Sequence, residues 1–179
     1  MSTIETTLAP AGTWALDPVH STVGFEIAYL AGTFKGHFRE VDARLEIGET
    51  GASLEGSARV ASVDVKDETL AAHLQSPDFF DAENHPELQF SAADIAIDDG
   101  TVTVEGEITI KGVTKPTVVT GTVAGPLTDP YGRERIGLAV STTVDRTDFG
   151  VSWNTPLPDG RQALADEVRI LGELAFIRA

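Results

Sequence analysis

The fold of this chain is decided by the stretch Gly106-Glu107-Ile108-Thr109-Ile110-Lys111-Gly112-Val113-Thr114-Lys115-Pro116, in which an alternating strand runs into a turn. Successive side chains of a strand point to opposite faces, so alternation of apolar and polar residues predicts a strand with one dry and one wet face. The apolar positions are Val102, Val104, Ile108 and Ile110, and the polar ones are Thr101, Thr103, Glu105, Glu107, Thr109 and Lys111. The pattern predicts an antiparallel β protein, and the functional question is what its dry face encloses.

Alternating segments recur on both sides of this stretch. They cover residues 12–27, 34–47, 54–65, 88–97, 117–123, 136–144 and 168–176. The clearest turn signals between them are Asp98-Asp99-Gly100 and Asp129-Pro130-Tyr131-Gly132. About eight long strands therefore follow one another without an internal repeat. A closed barrel or a tight sandwich is expected, because closure removes exposed sheet edges.

Residues 68–87 interrupt the strand pattern. Apolar and histidine side chains recur there at helical spacing, at Leu70, His73 and Leu74. Asp67 is placed to cap a short helix, and Ser76-Pro77-Asp78 repeats a helix-start signal that puts Phe79 and Phe80 on a single turn. The segment predicts a short helical insertion that plugs or covers an opening of the β domain.

Composition excludes several classes of site and partner. The 179 residues suggest one domain, and 41% hydrophobic residues suffice for a core. The absence of cysteine excludes disulfides, thiolate metal sites and cysteine nucleophiles. A net charge of -15 and a pI near 4.4 repel phosphate backbones and anionic lipids, so nucleic acid is not an expected partner. We interpret the acidity as a source of solubility.

The start of the sequence carries neither a basic region nor an apolar run over residues 1–10. It resembles neither a secretion signal nor a membrane anchor. We therefore expect a flexible tail over residues 1–11 and one barrel domain over residues 12–179. We also expect a cytoplasmic location and at most transient contact with a membrane.

Six segments in sequence order together resemble the YceI-like family. They are Trp14–Phe25, Phe34–Phe38, His73–Asp81, His85–Phe90, Gly106–Pro116 and Arg146–Val151. The resemblance covers about residues 12–177 and implies an all-β, elongated antiparallel eight-stranded lipocalin-like barrel with a short helical insertion. It also implies an apolar tunnel that binds a polyisoprenoid or another long amphiphile, such as an isoprenoid quinone, commonly in a homodimer and without a cofactor.

The matching positions supply candidates for the wall and lid of this tunnel. They are Phe25, Phe38, His73, Leu74, Phe79, Phe80, Phe90 and Ile110. Family members often carry charged residues where this chain has Ala71, Ala72 and Gln75. The loss of charge weighs against pyrophosphate or another anionic head group. The predicted function is therefore non-catalytic binding, transport or storage of a long-chain lipid.

Two alternatives remain open at this point. Alternation cannot distinguish side chains that fill a barrel from side chains that line a tunnel; periodicity alone favours the filled core and the resemblance favours the tunnel. A filled interior would suit a structural or stress-response dimer without a ligand.

A metal-dependent enzyme is the other alternative, because histidine and carboxylate side chains are possible ligands. The residues concerned are Asp17, His20, His73, Asp78 and His85. Their spacing matches no known metal motif, and no nucleophile elbow, phosphate loop or dinucleotide fingerprint occurs. We interpret His20, in a predicted strand, and His37 as structural residues. We further expect an Arg146–Asp148 ion pair to hold a turn and Trp153 to lie at a barrel end.

Overall fold

The computed structural model describes residues 10–49 and 51–179. Most of the predicted tail, residues 1–9, lies outside this part of the chain. Pro10 and Ala11 lie inside it, and their carbonyl oxygens accept hydrogen bonds from Trp14 Nε1 at 3.1 Å and from Arg178 Nη2 at 3.0 Å. In the described residues, no helix is long and apolar enough to cross a bilayer.

The described chain is built almost entirely of strands, with a single α-helix. The elements are β1 (Gly12–Leu16), β2 (Thr22–Tyr29), β3 (Gly32–Phe38), β4 (Val41–Ile47), β5 (Ala52–Arg59), β6 (Val63–Asp64), α1 (Glu68–Gln75), β7 (Glu87–Asp98), β8 (Thr101–Ile110), β9 (Val113–Thr128), β10 (Glu134–Asp145) and β11 (Leu164–Arg178). Short 3₁₀ turns lie at Pro18–His20, Val60–Ser62 and Arg146–Phe149.

These strands form a closed antiparallel barrel of eight long strands, as predicted. Three of the eight are interrupted, because β1 continues into β2, β3 into β4, and β5 into β6. Each long strand pairs with the next along the chain, and β11 closes the barrel by pairing with both β1 and β2. His20 lies in the 3₁₀ turn that interrupts the first long strand, and not in a strand as predicted, because Pro18 starts that turn.

The decisive stretch folds as its alternation predicts. On β8, Val102 and Val104 are 0% and 1% exposed, whereas the intervening Thr103 is exposed. The hairpin to β9 turns at Lys111 and Gly112, whose φ angles are 50° and 75°. Positive φ at both central residues matches the right-handed twist of the flanking strands. The hairpin between β7 and β8 turns the same way, with φ values of 48° at Asp99 and 78° at Gly100.

The helical insertion lies where the sequence places it. The Asp67 carboxylate accepts a hydrogen bond from the Leu70 backbone N–H at 2.9 Å and caps α1. After the helix, the chain folds into hydrogen-bonded turns that carry Phe79 and Phe80. We call the end of the barrel that carries α1 and the segment 146–163 the upper end. The opposite end, which carries the hairpins after β4 and β7, is the lower end.

The interior divides into two apolar clusters along the barrel axis. The lower cluster is tightly packed, and Trp14, Leu45 and Phe176 within it are all 0% exposed. The upper cluster gathers Phe25, Phe38 and other inward side chains beneath the helical insertion. The lower end is therefore a packed hydrophobic core, and a binding site is to be sought at the upper end.

An ion-pair cluster joins the interrupted first strand to the turn before β10. Arg135 lies 2.8 Å from Asp17 Oδ2 and 2.7 Å from Asp129 Oδ2. The hydrogen bond from Arg135, followed by that from His20, lowers the pKa of Asp17 to about 2. Arg135 likewise holds the pKa of Asp129 well below its usual value, together with the backbone N–H of Arg133. Both carboxylates are thus held charged by one guanidinium.

We expect the free energy of unfolding to fall most steeply as the pH drops from about 4 to about 2. A carboxylate whose pKa is lowered by folding stabilises the folded state above its unfolded pKa, and this stabilisation is lost as the pH falls through the folded pKa. Arg135→Leu is expected to flatten this slope and to lower stability at neutral pH. Urea unfolding at stepped pH measures both effects.

Arg161→Leu is the matched control, because its partner Asp159 is half exposed. Removal of an exposed pair is expected to leave stability nearly unchanged, because water and salt screen the two charges. An acid slope that is the same in Arg135→Leu as in the unaltered protein would contradict the assignment.

Candidate ligand-binding cavity

A cavity of about 370 Å³ occupies the upper half of the barrel. Its walls are almost entirely apolar side chains from β1 to β5 and β7 to β11, with α1 and the segment 146–163 above them. Tyr29, which lies on its rim at the upper end, is 41% exposed. The volume falls at the lower end of the range of about 300–1,000 Å³ that is typical of small-molecule sites.

The exposure of inward-facing residues shows that this space is hollow. Val140, Val168, Ile170 and Leu174 all face the barrel interior, yet each is only partly buried. Side chains in a filled core lose nearly all of their exposure, as Phe176 does at 0%. The open question between a filled and a hollow interior is thus answered in favour of a cavity.

Small residues at inward positions create the space. Gly56, Ala58 and Ala43 lie on neighbouring strands, and Gly172 lies on the opposite wall. A Cβ atom added at Gly172 would lie 3.5 Å from Val140 Cγ2, which is ordinary contact. Gly106 differs, because a Cβ atom there would lie 2.5 Å from the Ser91 carbonyl oxygen and 2.7 Å from Phe90 Cζ. The glycine of the decisive stretch therefore makes room for the Phe90 ring.

The sequence-predicted site residues come together around this one cavity. Phe25, Phe38, His73, Leu74, Phe79, Phe80, Phe90 and Ile110 all line it. Three of them form an aromatic cluster, since the Phe80 ring centroid lies 6.1 Å from that of Phe25 and 5.8 Å from that of Phe38. That these residues contact a ligand stays a prediction.

Three rings surround the upper mouth of the cavity. The His73 ring lies edge-on to Phe79 at 4.9 Å and to Trp153 at 4.8 Å between centroids. His73 Nε2 lies 3.0 Å from Asp78 Oδ2, and the imidazole is 32% exposed. Trp153 thus lies at a barrel end, in the position that its amphipathic ring suits. This group places the imidazole of His73 where the apolar space meets water.

Arg146 also lines the cavity, at the start of the segment that covers its mouth, and it was not predicted as a site residue. Its guanidinium donates hydrogen bonds to the backbone carbonyls of Val151 at 2.8 Å, Trp153 at 2.7 Å and Ala165 at 2.8 Å. Burial lowers the pKa of Arg146 from its usual value, and the nearby carboxylates oppose this shift. A sequence signal for Arg146 exists, because it lies two residues after the inward-facing Val144 and so falls on the same side of the strand.

The predicted ion pair between Arg146 and Asp148 is wrong. Asp148 is exposed, and the carboxylate near Arg146 is instead that of Asp166, with Oδ1 3.8 Å from Nη2. This distance is too long for a hydrogen bond. Nε and Nη1 donate to three backbone carbonyls because the chain folds back over the guanidinium, whereas the buried Nη2 has no hydrogen-bond partner among the described residues.

Lys111 connects the two segments that cover the mouth. Its Nζ donates to the carbonyl oxygen of Pro77 at 2.6 Å and to that of Gly150 at 3.2 Å. Pro77 belongs to the helical insertion and Gly150 to the segment before Trp153. Lys111 therefore holds the helical insertion and the segment 146–163 against the β8–β9 hairpin.

The histidine and carboxylate residues of the metal hypothesis form separate pairs. Asp17 pairs with His20 at 2.7 Å and His73 with Asp78, while His85 packs on the turn at Gly112. Within residues 10–49 and 51–179, no group of three or more such side chains is arranged to hold a metal ion. The donor set that this enzyme mechanism requires is not assembled there.

Comparison with known proteins agrees with this architecture. The family model described as a YceI-like domain matches residues 14–176. A UPF0312 protein of Pseudomonas putida strain W619 is 34% identical over 141 residues, which cover 74% of this chain and 71% of that protein. Burkholderia cenocepacia BcnA superposes with a TM-score of 0.77 at 24% identity, over 89% of this chain and 98% of that one. A polyisoprenoid binding domain from Saccharophagus degradans, implicated in plant cell wall breakdown, has a TM-score of 0.70 at 12% identity, over 95% of this chain and 100% of that one.

Proposed function

Because this chain belongs to the YceI-like domain family, we propose that it reversibly binds a long-chain amphiphile in its barrel without chemical conversion. The observation that carries the proposal is the hollow apolar cavity beneath α1, whose walls leave inward side chains such as Ile170 only partly buried. The name of the Saccharophagus degradans domain supports an isoprenoid as one ligand class. The protein would then act as a carrier or store for such a lipid.

The free energy of burying the chain sets the scale of the affinity. Burying about 15 methylene groups at about 0.8 kcal/mol each contributes about 12 kcal/mol. Association and ordering of the chain cost about 4–15 kcal/mol. Affinity therefore depends on how well the chain fills the cavity, and chain length is expected to matter more than the head group.

The charges around the mouth favour a neutral head group. Arg146 is buried and directs its hydrogen bonds to backbone carbonyls, and Lys111 does the same on the outer side. The carboxylate of Asp166 lies 3.8 Å from the Arg146 guanidinium, that of Asp78 lies 3.0 Å from His73 Nε2, and the chain as a whole carries a charge of -15. A quinone, alcohol or amide therefore suits the mouth better than a phosphate.

Organic extraction of the purified protein followed by mass spectrometry tests the proposal most directly. We expect a co-purified single-chain lipid, or binding of added isoprenoid quinones and fatty amides. If no lipid co-purifies and none of these compounds binds, the proposed function is excluded. The homodimer implied by the family resemblance is a separate proposal, which sedimentation equilibrium tests.

Ile170→Asp is expected to weaken lipid binding at least tenfold. Ile170 faces the cavity from β11, so the new carboxylate stays hydrated while the cavity is empty and loses its water when a chain enters. Dehydrating such a group costs about 2 kcal/mol or more. Titration of both proteins with the same quinone measures the difference.

Arg169→Asp is the matched control, because it places the same group on the exposed face of the same strand, one residue away. Thermal unfolding verifies that both variants are folded. Equal losses of affinity in the two variants would show that the ligand does not occupy the cavity.

A further inference from the structure

The cavity ends blindly in the middle of the barrel. Its lowest walls include Val104 and Leu138, which are 1% and 2% exposed. Immediately below them, Trp14 and Phe176 are both 0% exposed, belong to the lower cluster and do not line the cavity. We call Val104 and Leu138 the floor. A chain that enters from the upper end therefore meets packed side chains before it reaches the lower end.

The depth of the cavity follows from the strand that runs from the floor to the mouth. Leu138 lies on β10, and Arg146 follows the upper end of the same strand. At about 3.4 Å per residue, the two are about 27 Å apart along the strand. A strand tilt of about 40° shortens this to about 20 Å along the barrel axis. An extended carbon chain zigzags, so each bond of about 1.5 Å advances it by only about 1.25 Å along its axis, and about 16 carbons span that depth.

We propose that the floor makes this protein selective for the length of its ligand, a single chain with about 16 main-chain carbons. The inference rests on the proposed function and refines it. The methyl end lies against Val104 and Leu138, and the head group lies at the mouth beside His73 and Trp153. About four isoprene units have this main-chain length, so a longer polyisoprenoid leaves its remaining units outside the barrel.

A length series on the unaltered full chain tests the proposal. Straight-chain primary alcohols from about 10 to about 20 carbons are titrated by displacement of an uncharged dye, Nile red. We expect affinity to rise about fourfold per added methylene and to level off near 16 carbons, because further methylenes stay in water. An undiminished rise through the longest alcohols overturns the length limit but leaves the proposed function intact. Failure of every alcohol to bind overturns the proposed function itself.

Leu138→Ala and Ile136→Ala locate the limit at the floor. Both residues point inward on β10 and are 2% and 3% exposed, but only Leu138 lines the cavity. Leu138→Ala is expected to deepen the cavity and to move the plateau up by about two carbons. Ile136→Ala opens an enclosed void below the floor and is expected to leave the plateau where it is. A shift of equal size in both variants contradicts the assignment of the floor.

Gly172→Leu provides an independent test that leaves the packed floor intact. Gly172 pairs with Val140, two residues above the floor on β10, and an added Cβ atom meets nothing closer than 3.5 Å. Its side chain would project into the cavity and move the plateau down by about four carbons. Alcohols of about 10 carbons should then bind as before, while those of about 16 carbons lose on the order of a hundredfold in affinity. Unchanged binding of the longer alcohols overturns the proposal.

Discussion

Trp14→Ala is expected to lower the free energy of unfolding by about 3–5 kcal/mol, the largest change in stability that we predict. Trp14 is 0% exposed in the lower cluster, where β1 pairs with both β4 and β11. Its indole N–H also donates to the carbonyl of Pro10. Removing the ring leaves a void between strands that close the barrel, since rigid strand pairing on both sides prevents collapse. Urea unfolding measures the loss.

Lipid binding by the folded fraction of Trp14→Ala is expected to change little, because Trp14 does not line the cavity. Trp153→Ala is the matched comparison. Trp153 is only partly buried and lies at the mouth against His73 and Phe79. Trp153→Ala is expected to lower the free energy of unfolding less than Trp14→Ala does, and to lower the affinity for lipid more. If one of the two variants showed the larger loss both in urea unfolding and in lipid binding, the separation of the packed core from the cavity would be contradicted.

Arg146→Ala is expected to lower the free energy of unfolding by about 2–4 kcal/mol. The change leaves the carbonyls of Val151, Trp153 and Ala165 without the donor that fastens the segment over the mouth. We therefore also expect faster hydrogen exchange of backbone amides in residues 151–165. Exchange rates in this segment distinguish loosening of the cover from a general loss of stability.

Two further variants identify what Arg146 does. Arg146→Lys keeps the charge but lacks the planar fork that reaches three carbonyls, so most of the loss should remain. Asp148→Ala should change stability by no more than about 0.5 kcal/mol, because Asp148 is exposed. A large effect of Asp148→Ala together with a silent Arg146→Lys would restore the ion pair first expected from the sequence.

Much of the site was predictable from local patterns. Phe79 and Phe80 were placed near the opening because residues 68–87 break the strand pattern and carry aromatic side chains beside a capped helix. Alternation puts Ile110 on the inward side of its strand, whereas Phe90 became a candidate through the family resemblance. The role of Arg146 was not predictable in this way, because its three partners lie across a chain reversal between β10 and β11.

The sequence by itself determined that this protein is built of antiparallel strands, which side chains of β8 face inward, and where the helix interrupts the strands. Each of these depends on backbone geometry over a few neighbouring residues, such as the period of two in a strand or the Asp67 cap. Only the tertiary structure decided that the upper half is hollow and the lower half packed. That outcome depends on which side chains meet across the barrel at one level: Trp14 and Leu45 pair on adjacent strands at the lower end, whereas small residues such as Gly56 and Gly172 leave the upper half open. The register between distant strands sets those levels, and no local pattern of residues encodes it.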